Sequence, residues 1–179
     1  MPDWIRPLAT TVIVLSFALG TARAEVPSTE ADYDLVRPDG EVVHTADFLG
    51  QPVVLNFWAV WCPPCRAEIP TFSQFADDNP EVAVLGVAVD SGPTSGLDRV
   101  GQRLGIRYPV VDSTQEVLDA YRVAGLPTTV ILDSEGRLST VHQGLMTAEQ
   151  LDLALEEARR GECVVDGRTQ LRPGSTRPR

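Results

Sequence analysis

The alternation of apolar and polar residues divides the chain into short strand-like runs and longer segments with helical spacing. Residues 52–61, PVVLNFWAVW, and residues 81–90, EVAVLGVAVD, are almost continuously apolar and rich in β-branched side chains. Runs of this kind predict strands that are buried on both faces of a sheet. Apolar residues three or four positions apart follow each run and predict helices.

Four helices are predicted from this spacing. They cover residues 63–78, 97–105, 114–123 and 147–160. The first is expected to kink near Pro70, because proline lacks the N–H of a helical hydrogen bond. The last begins at Thr147, which can form a reciprocal cap with Gln150.

Turn residues separate the remaining strand-like runs. Pro38-Asp39-Gly40 predicts an early β-hairpin, and the turn at Ser134–Gly136 predicts a second hairpin before the last helix. The short run YPVVDS predicts a strand between the second and third helices. Alternating strands and helices, followed by a hairpin and a helix, predict an α/β fold with a mixed central sheet flanked by helices.

Both ends of the chain differ from this pattern. Residues 1–24 have a short polar start, an apolar run and the sequence Ala22-Arg23-Ala24, which together predict a cleaved secretory signal peptide. An uncleaved membrane anchor is the alternative, although the run is shorter than the ~20 residues that a spanning helix needs. We expect a flexible lead-in over 25–32, one folded domain over 33–163 and a disordered tail over 164–179.

Composition narrows the possible partners of this domain. The chain has 179 residues and a formal net charge of −10. Nucleic acid is an unsuitable partner, because binding it requires a basic surface. The export signal places the domain in a compartment that permits disulfides. We expect a monomer.

The closest pair of thiols lies in the sequence WCPPC, where the first long strand ends and its helix begins. A thiolate at Cys62 would face the positive end of that helix, which lowers a thiol pKa, and Cys65 would lie one turn further on. A strand–CxxC–helix unit is typical of a thioredoxin-like redox motif. The alternatives are a structural disulfide, which would close too short a loop to stabilise much, and half of a zinc site. Further zinc ligands would have to come from Cys163, His44 or His142.

The two segments LNFWAVWCPPCRAEIP and GLPTTVILDSEGR together resemble the thioredoxin superfamily. More narrowly, they are similar to the exported TlpA/ResA/CcmG-type thiol–disulfide oxidoreductases. The resemblance spans residues 30–160. It implies a thioredoxin-like fold with an extra N-terminal β-hairpin and an insertion before the third core strand, at about residues 81–112.

The resemblance also assigns roles to individual residues. Cys62 matches the exposed attacking cysteine, and Cys65 matches the resolving cysteine of the same redox disulfide. Pro127 matches the cis-proline beside that disulfide. In the family this loop pairs with an extended substrate segment, so Leu126 and Thr128 are expected to flank the docked chain.

A carboxylate is expected to handle the proton of the reaction. Glu68 matches the acidic residue of the reductant branch, and burial beside Cys65 would raise its pKa for proton transfer. A solvated helix carboxylate is the alternative. Cytoplasmic thioredoxins carry an acid in the strand before the motif, where this chain has Asn56. Trp61 is expected to form a wall of the site, and Pro64 to contact substrate and to remove an N–H donor beside the reactive sulfur.

These residues predict a periplasmic reductant of disulfides in other exported proteins, as in cytochrome c maturation or copper-site assembly. No cofactor or metal is expected, and a thiol-reducing membrane electron donor would regenerate the dithiol. A copper(I)-binding chaperone using the same cysteines and a thiol peroxidase are the alternatives. Cys163 is expected to be a free or buried thiol of no role, with an intermolecular disulfide or a modified regulatory thiol as the alternatives.

Overall fold

Strand β3 (Val53–Trp58) sends alternate side chains into different apolar layers. The computed structural model of the protein describes residues 32–165 and 168–170. The odd-numbered side chains of β3 enter a layer on one face of the sheet, whereas Val54 and Trp58 enter clusters on the other face. Every residue of β3 is buried, which explains its almost continuously apolar sequence.

Nine strands and four α-helices are present among the described residues. In chain order, the remaining strands are β1 (Asp34–Val36), β2 (Val42–His44), β4 (Ala83–Ala88), β5 (Val110–Asp112), β6 (Thr128–Leu132), β7 (Leu138–Gln143), β8 (Cys163–Val165) and β9 (Arg168–Gln170). The helices are α1 (Pro63–Asp78), α2 (Leu97–Leu104), α3 (Gln115–Ala120) and α4 (Ala148–Arg159). None of these helices is long and apolar enough to cross a membrane.

The strands form one mixed sheet in the order β2-β1-β5-β4-β3-β6-β7-β8-β9. Strands β3, β4 and β5 are parallel, whereas β6 is antiparallel to β3 and β7 is antiparallel to β6. Helix α3 contributes to the apolar layer on one face, and α1 and α4 contribute to the layer on the other. The predicted α/β fold with helices on both faces is confirmed.

Local signals in the sequence predict several element boundaries correctly. The first hairpin closes with a hydrogen bond from Arg37 N to Glu41 O at 2.8 Å. Helix α4 has the reciprocal cap between Thr147 and Gln150. Helix α1 is continuous through Pro70. The segment 81–112 contains β4, α2 and β5, so it extends the parallel part of the sheet.

The prediction of a disordered tail from residue 164 is wrong where the tail is described. Strand β8 pairs in parallel with β7, and β9 pairs with β8 in antiparallel register. Strands β8 and β9 have three residues each, which is too short for a periodic pattern of apolar residues to be recognised in the sequence. The pairing of β8 also depends on the open edge of β7, which lies in an earlier part of the chain. The predicted signal peptide, most of the lead-in, residues 166–167 and residues 171–179 lie outside the described residues.

Gly86 of β4 is a point of close approach between the sheet and two buried rings. It pairs with Asn56 of β3. A Cβ atom at this position would lie 2.9 Å from Cε2 of Tyr108 and 3.0 Å from Nε1 of Trp58. Both side chains are buried, so they have little room to move away. Only glycine lets these rings cover the β4 backbone.

We therefore expect Gly86→Ala to lower the free energy of unfolding by about 1–3 kcal/mol, the usual cost of overpacking a core. Chemical denaturation measures this change. The matched control is Gly125→Ala, because a Cβ added there meets nothing within 4 Å. Equal unfolding free energies for the two variants would contradict the packing argument.

Candidate active site

The two cysteines lie at the junction between β3 and α1. Cys62 is the N-cap of α1 and forms a disulfide with Cys65, with the two Cα atoms 5.3 Å apart. The Sγ atom of Cys62 accepts a hydrogen bond from the N–H of Cys65 at 3.2 Å. Pro63 and Pro64 occupy the first two helical positions and have no N–H. The Cys62 sulfur therefore accepts a hydrogen bond from the N–H at the third helical position, and the second position has no N–H to donate.

The two sulfur-bearing residues differ in accessibility. Cys62 is 4% exposed and Cys65 is completely buried, so solvent and substrates can reach the disulfide only through Cys62. Trp61 precedes it and is 61% exposed. The indole Nε1 of Trp61 donates a hydrogen bond to the carbonyl oxygen of Asp90 at 3.1 Å. This bond fixes an exposed aromatic side chain next to the cysteine pair, where the sequence predicted a wall of the site.

The loop before β6 lies at the same end of the sheet as the disulfide. The Leu126–Pro127 peptide bond is cis, as predicted. Thr128 pairs with Phe57 near the end of β3, which places the preceding residues beside the segment that leads to Cys62. Leu126 is partly buried against the cluster that contains both cysteines. Thr128 is buried, and its hydroxyl donates to the carbonyl of Gly125 at 2.7 Å, so this side chain holds the loop.

Glu68 is a buried carboxyl group one turn after Cys65 on α1. Only 3% of the residue is exposed. Its Oε1 atom accepts a hydrogen bond from Nδ2 of Asn56 at 2.7 Å, and its Oε2 atom accepts one from the N–H of Met146 at 3.3 Å. Burial raises the pKa of Glu68 from 4.5 to about 7, although these two hydrogen bonds act in the opposite direction. A carboxyl group with this pKa can exchange a proton near neutral pH.

Sequence reasoning missed two contacts of this carboxyl group. Tyr108, which precedes β5, donates a hydrogen bond from its hydroxyl to Oδ1 of Asn56 at 3.2 Å. Met146, in the loop between β7 and α4, supplies the backbone N–H. The one sequence signal was Asn56 itself, an amide within an apolar strand. A buried amide requires hydrogen-bond partners.

The loop between β7 and α4 borders the site. The N–H of Gly144 donates to the carbonyl of Pro127 at 2.8 Å, and Met146 contacts Glu68 as described. Leu145 lies between these two anchored residues and is 52% exposed. An exposed leucine on a fixed loop is well placed to contact a bound chain, and no local signal in the sequence identified it.

One of the other predicted ligand candidates, Cys163, lies apart from this constellation. Cys163 is buried in β8, which is separated from β3 by β6 and β7. Within residues 32–165 and 168–170, His, Cys, Asp and Glu side chains do not form a group of three or more that could hold a metal ion.

Comparisons with known proteins agree with this geometry. The model of the AhpC/TSA family matches residues 23–141. Thiol-disulfide oxidoreductase ResA of Geobacillus kaustophilus is 34% identical over 148 residues, covering 82% of this chain and 84% of that protein. Sporulation thiol-disulfide oxidoreductase A of Bacillus subtilis is 32% identical over 145 residues, covering 77% and 87%. The exposed lipoprotein thioredoxin Etrx1 of Streptococcus pneumoniae superimposes with a TM-score of 0.60 at 31% identity, covering 71% of this chain and 99% of that one.

The raised pKa of Glu68 makes the stability of the disulfide form depend on pH. Between about pH 4.5 and pH 7 the folded protein keeps a proton that the unfolded chain releases, so stability falls as pH rises. The loss attributable to Glu68 is about 3 kcal/mol, at ~1.4 kcal/mol per pKa unit. We expect Glu68→Gln to remove this loss, because the amide keeps an acceptor oxygen and has no charge.

Denaturant midpoints of the two proteins at about pH 5 and about pH 8 test this expectation. The difference between the two pH values should be larger for the wild type than for Glu68→Gln. Because all other titrating groups are shared, an identical pH dependence in both proteins would contradict the raised pKa.

Proposed function

Because the chain belongs to the AhpC/TSA family and is a thiol–disulfide oxidoreductase of the ResA type, we propose that it reduces disulfides in other exported proteins. The observation that carries the proposal is the buried carboxyl group of Glu68 one turn from the less accessible cysteine. A group with a pKa near 7 can take a proton from a thiol as that thiol attacks.

The proposed reaction transfers two electrons from the dithiol to the substrate. The Cys62 thiolate attacks one sulfur of a substrate disulfide, which forms a mixed disulfide and releases a substrate thiolate that is then protonated. The Cys65 thiol passes its proton to the Glu68 carboxylate and attacks the Cys62 sulfur. This step closes the Cys62–Cys65 disulfide and releases the second substrate sulfur as a thiolate, to which the Glu68 proton can return through solvent.

The substrate would dock on the apolar rim of the disulfide. Trp61 and Leu145 are exposed beside it, and Leu126 is partly exposed in the cis-proline loop. An extended polypeptide around an accessible disulfide suits such a rim, because the loop backbone can pair with it and the rim can cover its apolar side chains. Pro64, which is exposed on the first turn of α1, would border the same chain.

The cellular setting belongs to the same proposal. The sequence of residues 1–24 supports export to the periplasm, either as a cleaved protein or with a retained N-terminal anchor. Suitable substrates are exported proteins whose cysteines must be reduced before they bind haem or copper, as in cytochrome c maturation or copper-site assembly. A thiol-reducing electron donor in the membrane would return the disulfide to the dithiol after each turnover, with the protein acting as a monomer.

The missing N–H of Pro64 favours this direction of electron flow. A thiolate at the N-cap is stabilised by N–H groups at the second and third helical positions, and the second is occupied by Pro64. A less stabilised thiolate makes the reduced state less favourable, which lowers the reduction potential. The pair should therefore act as a stronger reductant than one with both donors.

We expect Pro64→Ala to lower the pKa of the Cys62 thiol and to raise the reduction potential, by about 30 mV for each pKa unit. Equilibration with glutathione buffers measures the potential. Pro63→Ala is the matched control, because it restores an N–H at the first position, which does not usually bind the cap side chain. An equal or larger rise in Pro63→Ala would refute the donor argument. A wild-type potential above about −150 mV would refute the reductant proposal itself.

Trapping tests whether the substrates are proteins. In a Cys65→Ser variant the mixed disulfide cannot be resolved, so we expect Cys62-linked adducts to accumulate in the native host. Mass spectrometry of adducts released by reductant identifies the partners. Cys62→Ser serves as the control, since it keeps Cys163 and lacks the attacking sulfur. If adduct patterns of the two variants are the same while the wild type is active, protein disulfides are not the substrate.

A further inference from the structure

Tyr108 is a buried hydroxyl group that the proposed reaction does not yet use. It is 5% exposed and lies in the connection between α2 and β5, far along the chain from the cysteine motif. Its hydroxyl donates to Oδ1 of Asn56, and Nδ2 of Asn56 donates to Oε1 of Glu68. The three side chains form a continuous hydrogen-bonded chain that ends on the carboxyl group beside the cysteine pair.

We propose that Tyr108 is a positioning residue that acts through Asn56 to set the proton affinity of Glu68. The proposal rests on the proposed function, in which Glu68 exchanges a proton with Cys65. It assigns a role in that exchange to a residue whose hydroxyl bonds to Asn56 and to neither cysteine.

The direction of the effect follows from the order of donors. Each hydrogen in the chain points towards Glu68, first from the Tyr108 hydroxyl to the amide oxygen and then from the amide nitrogen to the carboxylate. Hydrogen bonds arranged in this way polarise one another, so donation to the amide oxygen strengthens donation by the amide nitrogen. The dipoles of the Tyr108 hydroxyl and of the Asn56 amide both favour the negative charge on the Glu68 carboxylate. Removing the hydroxyl should therefore raise the pKa of Glu68.

Among the described residues, Asn56 is the one side chain that donates a hydrogen bond to Glu68, and Tyr108 donates to Asn56. The loop before α4 contributes the Met146 N–H, a fixed backbone donor, and α1 contributes Cys65. In the part of the chain that the structure describes, no charged side chain forms a hydrogen bond or an ion pair with Glu68. Burial, followed by the charge of Glu68, raises the pKa of Tyr108, so its hydroxyl remains a donor throughout the working pH range.

The position of the Tyr108 ring is fixed by the sheet below it. Cε2 lies so close to Gly86 that a Cβ atom there would be 2.9 Å away. Gly86 is also the register partner of Asn56 on the neighbouring strand. The Tyr108 ring therefore packs directly over Gly86. Because Gly86 has no side chain, the Tyr108 hydroxyl can reach the side chain of Asn56.

The test is the titration of Glu68 in the oxidised protein, followed by carboxyl ¹³C NMR. We expect Tyr108→Phe to raise the Glu68 pKa by about half a unit to one unit, a three- to tenfold increase in proton affinity. Tyr121→Phe is the matched control. It also removes the hydroxyl of a buried tyrosine, but its ring packs against Phe57 and Tyr33 on the opposite face of the sheet.

A double-mutant cycle separates transmission through Asn56 from a general loss of structure. In an Asn56→Leu background, Tyr108→Phe should cause no further shift, because the link to Glu68 is already absent. The pH profile for reduction of a disulfide substrate should move with the Glu68 pKa in Tyr108→Phe and should not change in Tyr121→Phe.

Two results would overturn the proposal. One is a Glu68 pKa in Tyr108→Phe equal to that of Tyr121→Phe, and the other is an undiminished shift in the Asn56→Leu background. Neither depends on catalysis. If the pKa moves as expected while the reduction profile stays unchanged, the hydrogen-bonded chain is established and the role of Glu68 in the reaction is refuted instead.

Discussion

The hydrogen bond between the Asn56 amide and the Glu68 carboxyl is the contact on which the site depends. It joins the central strand of the sheet to the helix that carries both cysteines, in the interior of the domain. A carboxyl group in such surroundings resists ionisation, and a complete set of donors is needed to keep it functional. The strand, the connection before β5 and the loop before α4 each contribute one polar group to this arrangement.

Features determined by neighbouring residues could be predicted from the sequence. The spacing of the cysteines, the first turn of α1 and the reciprocal cap of α4 depend on contacts within a few residues. The cis-proline was inferred from resemblance, and so was the contrast between Asn56 and the acid that cytoplasmic thioredoxins carry in this strand. The fold class followed from the order of strands and helices, because each buried strand was long enough to be recognised.

Contacts between distant segments could not be predicted in this way. Tyr108 lies 52 residues from Asn56, and Met146 lies 78 residues from Glu68. Their meeting depends on how β4, β5 and β7 are ordered in the sheet, which no local pattern encodes. The same limit applies to β8 and β9, whose pairing requires the edge of β7. Family membership identifies the chemistry, whereas these tertiary contacts adjust it in this particular chain.

In the proposed reaction, the two consecutive prolines at the start of α1 also affect the lifetime of the mixed disulfide. Each ring fixes one φ angle, so the short segment between the cysteines has little freedom to relax when their bond opens. The resolving thiol then stays at a high effective concentration next to the bond it must attack, with little entropy to lose in the encounter. Release of the product can therefore be rapid even though the resolving sulfur is buried. The rigid dipeptide thus shortens the time for which the substrate stays covalently bound to the protein.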